Sequence, residues 1–199
     1  MLVDVDLLTF YGGITETFSH SEVIFEEGDA PRFYYQIING SVKLNHVDDD
    51  AKELIQSILY KGQSVCELLL FIDEKYPVNA VAISQECTII KVPKSRFLML
   101  LEEHQQPAID VRRFIAERLY QKFVMMQNNS SKHSQVRIKS ILTYFKSFSE
   151  DQSPYSYEVE LTRQQLAAIT GLRIETVIRS VKKMEKEKIL KIENRKIYF

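Results

Sequence analysis

Two periods divide this chain. Through about the first ninety positions, apolar residues come in short runs with polar partners, the pattern of half-buried strands. SEVIFEEGD (residues 21–29) sets Val23 and Phe25 ahead of a Gly-Asp turn. FYYQIINGSVKLNHV (33–47) alternates about Asn39-Gly40, which predicts a hairpin. Asp48, Asp49 and Asp50 make a polar loop, and KELIQSILYKG (52–62) reads as the returning strand. VNAVAIS (78–84) and CTIIKV (87–92) complete the set. Many short strands at this spacing predict an antiparallel sandwich, barrel or jelly roll.

The period then lengthens to that of a helix. SRFLMLLEEHQQP (95–107) predicts a short helix ending before Pro107. From Ala108 to about Asn128 there is no Gly or Pro, and Val111, Ile115, Leu119, Phe123 and Met126 recur every three or four residues. Phe114, Tyr120 and Val124 widen this stripe beyond the needs of one partner. Such a helix can pack on its own domain and on a twin helix; the alternative is a helix packed wholly within its own chain. NNSSKHS (128–134) reads as a polar hinge at residues 128–131, VRIKSILTYFKSF (136–148) as an amphipathic helix, SEDQSPYS (149–156) as a loop and YEVEL (157–161) as a strand.

The segment LTRQQLAAITGLRIETVIRSVKKMEKEKIL (161–190) carries the most information. Thr162 is placed as an N-cap with Gln165 three residues on, Leu166 and Ile169 give a two-turn helix its inner face, and Gly171 permits a tight turn. A second helix from about Ile174 turns Val177, Val181 and Met184 inward and Glu175, Arg179, Lys182 and Lys186 outward. That is the layout of a DNA recognition helix, in which arginine donates twice to guanine and glutamate accepts from cytosine. The competing reading is a surface helix with an i,i+4 Glu175–Arg179 ion pair worth a few tenths of a kcal/mol. KIENRKIYF (191–199) adds a β-hairpin wing that brings Arg195 and Lys196 to phosphate, so the whole reads as a winged helix-turn-helix.

Charge supports the division. Residues 132–199 hold 14 Lys and Arg against 8 Asp and Glu, whereas the remainder holds 12 against 19. An acidic front and a basic back predict two domains with different tasks, the second facing a polyanion. The 45% hydrophobic and 27% charged content is ordinary for a soluble protein, and no apolar run approaches the roughly 20 residues of a membrane span. The acidic start lacks the pattern of a secretory leader, so a cytoplasmic location is expected. Cys66 and Cys87 form no CxxC pair, and the four histidines are scattered, so neither a metal nor a haem is expected. No nucleophile–base or paired-carboxylate spacing points to an enzyme.

Taken in order, EEGD with its aromatic followers, YYQIINGSVKL, KGQSVCELLLF, the 108–128 helix and LTRQQLAAITGLRIETVIR resemble the Crp/Fnr family of bacterial transcription regulators over nearly the whole length. The resemblance implies an α+β protein: a cyclic-nucleotide-binding-like β-roll (jelly roll) over 1–106, a dimerisation helix and hinge over 107–131, and a winged helix-turn-helix over 132–199. Its implied partners are double-stranded DNA with an inverted-repeat operator, a second copy through Ile115, Leu119, Phe123 and Met126, and RNA polymerase. Glu175 and Arg179 match base-contacting positions, and Thr162, Arg163, Gln164 and Thr176 match phosphate-contacting ones, with Lys182, Arg195 and Lys196 added from the charge pattern. Ile174 stands where the cyclic-AMP receptor protein has an arginine that reads guanine, and Arg173 is the nearest substitute for it.

The same resemblance makes CELLLFIDEKYPVNAVA (66–82) a phosphate cassette. Cys66 replaces the family glycine, Glu67 keeps the carboxylate that takes a ribose hydroxyl, and Leu68, Leu70 and Phe71 keep the apolar pattern. The phosphate-binding arginine is missing: alignment on Ala80, beside Asn79, puts Val78 in its place, and an ungapped alignment puts Pro77 there. The polar pair that reads adenine corresponds to Val124 and Met125. A buried phosphate without its arginine forfeits roughly 3 kcal/mol or more, about a hundredfold in affinity. Tight cyclic AMP binding is therefore not expected; the pocket holds a different small-molecule effector or its own side chains. An N-terminus without cysteine also argues against an iron–sulfur cluster.

Overall fold

The computed structural model describes residues 2–49, 53–129, 131–147, 149 and 151–199. The chain divides into two compact units, Met1–Arg118 and Leu119–Phe199. In the first, helix α1 (Val5–Phe10) precedes strands β1 (Ile14–Ser19), β2 (Val23–Phe25), β3 (Phe33–Asn39), β4 (Ser41–Val47) and β5 (Glu53–Tyr60). A 3-10 turn (Glu67–Phe71) leads to β6 (Asn79–Ala82) and β7 (Glu86–Pro93), then to α2 (Lys94–Glu103) and α3 (Gln105–Asn129), which runs on into the second unit. Two antiparallel sheets result, ordered β1-β7-β3 and β2-β6-β4-β5, as the jelly-roll expectation requires.

Asn39-Gly40 does not close a hairpin, contrary to the sequence expectation. β3 pairs with β7 and β4 with β5 and β6, so the chain changes sheets at this turn. Gly40 sits at φ +88, and a Cβ there would stand 2.4 Å from Ser84 Oγ and 2.6 Å from the Glu86 carbonyl. The glycine serves close approach of backbone to backbone at a sheet corner. Tyr34, Tyr35, Gln36 and Ile37 are all buried, so β3 is covered on both faces rather than half-exposed.

One apolar cluster, built on Phe25, Tyr35, Leu44, Val78, Ala80 and Ile89, occupies the β-roll. Another joins Leu8, Tyr34, Leu70 and Ile90 to Phe97 and Leu100 of α2 and Val111 of α3. The Tyr34 and Phe97 rings stack at 3.8 Å, which anchors α2 to β3. The break between α2 and α3 falls at His104, and Pro107 lies inside α3 rather than ahead of it. A proline in the first turn removes an N–H that has no intrahelical acceptor, so the helix tolerates it there.

The second unit holds α4 (Ser134–Lys146), β8 (Glu158–Val159), α5 (Arg163–Thr170), α6 (Ile174–Lys186), β9 (Lys191–Glu193) and β10 (Lys196–Tyr198). Ile138, Ile141 and Leu142 of α4 are buried, as are Leu166 of α5 and Val177, Val181 and Met184 of α6. The strands pair in the order β8-β10-β9. Asn194 (φ 49) and Arg195 (φ 67) both take left-handed backbone at the β9–β10 turn, the geometry of a tight two-residue hairpin. Lys146 Nζ donates to the Ser153 and Phe199 carbonyls at 2.5 and 2.9 Å and holds the hairpin end to α4. The hinge expected at residues 128–131 includes Ser130, which lies outside the described residues, as do Asp50 and Lys52 of the expected loop and strand and Phe148 and Glu150 of the expected helix and loop.

Candidate nucleic-acid interface and sensor pocket

The helix-turn-helix is fixed by local chemistry. Thr162 Oγ1 accepts from the Gln165 N–H at 3.1 Å, and Gln165 Oε1 accepts from the Thr162 N–H at 2.8 Å, a complete capping box at the start of α5. Gly171 ends α5 in left-handed backbone at φ 64. These two devices set the angle at which α6 leaves the turn. Burying Val177, Ser180, Val181 and Met184 turns Glu175, Arg179 and Lys182 out to solvent. Among the described residues Glu175 and Arg179 make no ion pair with each other, so both heads are available to a ligand.

Two hollows flank α6. One, of about 740 Å3, lies between α6, the start of α5 and the wing; it is lined by Thr162, Arg163, Lys182, Arg195 and Lys196, with Ile178 and Val181 on its floor. The other, of about 350 Å3, has Thr176 and Arg179 beside Lys132, His133 and Lys183. The structure thus gathers Thr162, Arg163, Thr176, Arg179, Lys182, Arg195 and Lys196 along the two flanks of one helix. Arg173 and Gln164 are exposed nearby in the chain, at the N-cap of α6 and in α5. Lys132 and Lys183 were not among the sequence candidates. Lys183 was legible, four residues after Arg179 on one helix flank, whereas Lys132 arrives only through the docking of α4 on α6.

The wing carries an unexpected constraint. Lys196 Nζ lies 2.5 Å from Glu158 Oε1, and Tyr198 donates its hydroxyl to Glu158 Oε2 at 3.0 Å. The hydrogen bond with Lys196 holds the Glu158 carboxyl below its ordinary pKa, and the same contact raises that of Lys196. Arg163 Nη2 donates to the Arg195 carbonyl at 3.4 Å, tying α5 to the wing, and partial burial lowers its pKa.

In the first unit Glu67 is 1% exposed. Its Oε2 accepts from Ser64 Oγ at 2.7 Å and from Arg118 Nη1 at 3.3 Å, and the same Arg118 nitrogen donates to the Ser64 carbonyl at 3.2 Å. Among the described residues Glu67 Oε1 has no hydrogen-bond partner. Cys66, which precedes the 3-10 turn, takes left-handed backbone at φ 53, where a glycine would be unstrained. Val78 and Ala80 are buried in the β-roll cluster, where Tyr76 stacks on Phe25 at 3.7 Å with Tyr35 beside them. Burial raises the pKa of both Tyr76 and Tyr35, so both phenols are neutral. Asn79 is occupied in the scaffold, its Oδ1 accepting from the Glu27 N–H at 2.9 Å.

The remaining cassette residues go elsewhere. Leu70 is buried against α2 and α3. Leu68 and Phe71 are about half exposed and line a separate hollow of about 620 Å3 with residues of α2 and α3. Val124 and Met125 belong to the second unit and line a hollow of about 270 Å3 with Val136 and Tyr144 of α4. The structure therefore brings Cys66, Val78 and Ala80 into one buried cluster of the first unit, while Glu67 is held by Ser64 and Arg118 and Leu68 and Phe71 line the separate hollow.

The family model of the cyclic nucleotide-binding domain matches residues 15–104, and that of the Crp-like helix-turn-helix domain matches residues 136–199. The chain belongs to the Crp/Fnr family. It is a DNA-binding transcription regulator of the Crp type, not an enzyme. It is 24% identical over 168 residues to the cAMP-activated global transcriptional regulator CRP of Salmonella typhimurium, covering 84% of this chain and 80% of that one. Among solved structures, FixK2 from Bradyrhizobium japonicum matches with a TM-score of 0.77 at 19% identity, covering 94% of this chain and 92% of that one. A CooA mutant from Carboxydothermus hydrogenoformans matches with a TM-score of 0.80 at 15% identity, covering 98% and 85%. At these identities the structural likeness speaks to the fold alone.

On α3 the single chain presents large apolar side chains to solvent. Leu119, Tyr120, Phe123 and Met126 are 54%, 65%, 57% and 69% exposed. Ile115, by contrast, packs partly against the α2–α3 core of the first unit. Among the described residues no group of three or more His, Cys, Asp and Glu is arranged to hold a metal ion. Both cysteines are buried and neither forms a disulfide, and among the described residues no helix is long and apolar enough to cross a membrane.

Proposed function

We propose that this Crp/Fnr regulator is a cytoplasmic homodimer that reads an inverted-repeat operator and does not respond to cyclic AMP. The observation that carries the DNA reading is α6: Glu175 and Arg179 lie on its exposed face, Arg179 lining one of the two cation-lined hollows that flank the helix. Arg179 donates to a guanine edge, Glu175 accepts from a cytosine amino group, and Arg173 lies within reach of the adjoining base. Thr162, Arg163, Gln164, Thr176, Lys182, Lys183 and Lys132 hold phosphates on either side. Two copies joined along α3 would set their recognition helices roughly 34 Å apart, one turn of duplex. RNA polymerase is the downstream partner of a regulator bound in this way.

Two features support the loss of cyclic AMP. Val78 stands buried where the cassette resemblance calls for an arginine, and Tyr76, Phe25 and Tyr35 fill the β-roll beside it. The carboxylate that remains, Glu67, is engaged by Arg118 of the protein itself. That self-filled interior favours a second reading, regulation through abundance alone without an effector. Selection of bound duplexes from random DNA, with and without a metabolite panel, tests both readings. An inverted repeat recovered in every arm supports effector-free binding; enrichment that depends on one metabolite identifies an effector; no enrichment overturns the DNA reading. Saturable micromolar cyclic AMP binding by calorimetry would remove the claim about the nucleotide.

A further inference from the structure

α6 carries an apolar strip where its solvent face is otherwise charged. Ile174 and Ile178 are each 38% exposed, whereas Val177 and Val181 are buried. Four residues apart, Ile174 and Ile178 lie one above the other on one flank of α6. Ile178 also lines the hollow that holds Arg163, Lys182, Arg195 and Lys196. Their exposed neighbours in the chain are Arg173, Glu175 and Arg179. The core does not need these two side chains outward, and a solvated helix face gains nothing from them.

The edges of the major groove offer hydrogen-bonding atoms at every base and one distinctive apolar group, the C5 methyl of thymine. An isoleucine cannot satisfy a guanine or adenine edge, and pressing it there would desolvate donors and acceptors without return. Against a methyl group it loses no hydrogen bond and removes apolar surface from water on both sides. We infer that Ile174 and Ile178 form a methyl-reading strip that selects thymine at two operator positions flanking those read by Glu175 and Arg179. This rests on the DNA reading above and adds the base class that α6 selects beside its charged contacts.

The test uses the full-length protein and the duplex it enriches from random sequence. Each thymine in the half-site is replaced singly by deoxyuridine, which removes the methyl group and leaves base pairing and every groove donor and acceptor in place. At two positions per half-site the affinity should fall about fourfold, as for loss of one buried methyl-sized group. Ile178→Ala should abolish the sensitivity at one position, Ile174→Ala at the other, and 5-methylcytosine should restore part of the affinity when cytosine occupies either one. If no duplex is enriched, the DNA reading itself fails. If a duplex is enriched but uracil substitution changes nothing, or the sensitivity survives both alanine variants, the methyl-reading strip is wrong while DNA binding stands.

Discussion

Arg118 of the long helix reaches the buried carboxylate of Glu67, with Nη1 3.3 Å from Oε2 and 3.2 Å from the Ser64 carbonyl. The Glu67 side chain is 1% exposed and that of Arg118 12%, so water does little to screen the pair. Removing one partner strands the other charge, which typically costs about 3–5 kcal/mol for a buried pair. Arg118→Ala should therefore destabilise the first unit by about that amount, and Glu67→Gln by less, since the amide keeps an acceptor for Ser64. Replacing both, as Glu67→Leu with Arg118→Met, should recover most of the loss. Urea unfolding of wild type, Arg118→Ala, Glu67→Gln and the protein that combines Arg118→Ala with Glu67→Gln closes a double-mutant cycle; additive losses would show that the two groups are not coupled in the fold.

The wing lysine makes a different prediction from the one its charge invites. Lys196 is already on Glu158, so a DNA phosphate must displace a carboxylate rather than water. Both side chains are substantially exposed, and the pair contributes little to stability. Lys196→Met alone should weaken binding to random duplex only slightly. Glu158→Gln should strengthen it several-fold at low salt, and Lys196→Met should then remove most of that gain. Filter binding across a salt series reads this directly, with the Glu158→Gln protein showing a salt slope steeper by about one counterion. Equal effects of Lys196→Met in the two backgrounds would show that Glu158 does not restrain the lysine.

These two pairs mark where the sequence was legible and where it was not. The capping box at Thr162 and Gln165, the left-handed Gly171 and the inward Val177, Val181 and Met184 are local, set by spacing within a few residues, and all stand as expected. Gly40 was legible as a turn but not as a corner between sheets, because the choice is made by Ser84 and Glu86, more than forty residues on. Arg118 is fifty-one residues from Glu67, and Lys196 thirty-eight from Glu158; no local pattern announces either contact. The exposed apolar face of α3 lies between these cases, since the stripe was visible but its width alone left open what covers it.

A titrating pair on the β-roll gives a pH dependence with a defined sign. His46 Nδ1 lies 2.7 Å from Glu27 Oε2, and this hydrogen bond raises the histidine pKa above its ordinary value near 6.5. A group whose folded pKa is raised contributes its full stability below the unfolded pKa and loses it as pH rises through the folded value. The first unit should therefore lose a small increment of thermal stability as the pH is raised from 6 to 8, and Glu27→Gln should flatten that slope. The titration of the His46 ring followed by NMR should have a midpoint above the ordinary histidine value near 6.5. A midpoint at or below the ordinary histidine value would remove the pair as a contributor.

The exposed seam on α3 is the surface on which the proposed homodimer rests. Leu119, Phe123 and Met126 recur at four and three residues with Tyr120 beside them, and all four are more than half exposed in the single chain. Burying a large apolar side chain stabilises an association by about 1.5–3 kcal/mol, so three or four on each of two copies can hold a helix pair together. Glutamate at both Leu119 and Phe123 places like charges along that seam and should convert the protein to a monomer in sedimentation equilibrium, with its circular dichroism unchanged. Operator binding should fall with it. Two recognition helices on one dimer bind the halves of an inverted repeat with an avidity of about 10²–10⁴ over a single half-site, and the monomer keeps only the weaker term. The doubly substituted protein should therefore bind the full operator no better than an isolated half-site, with roughly half the salt slope. A native mass already equal to one chain, or a dimer that survives both glutamates, would mean that something other than a second copy covers this face.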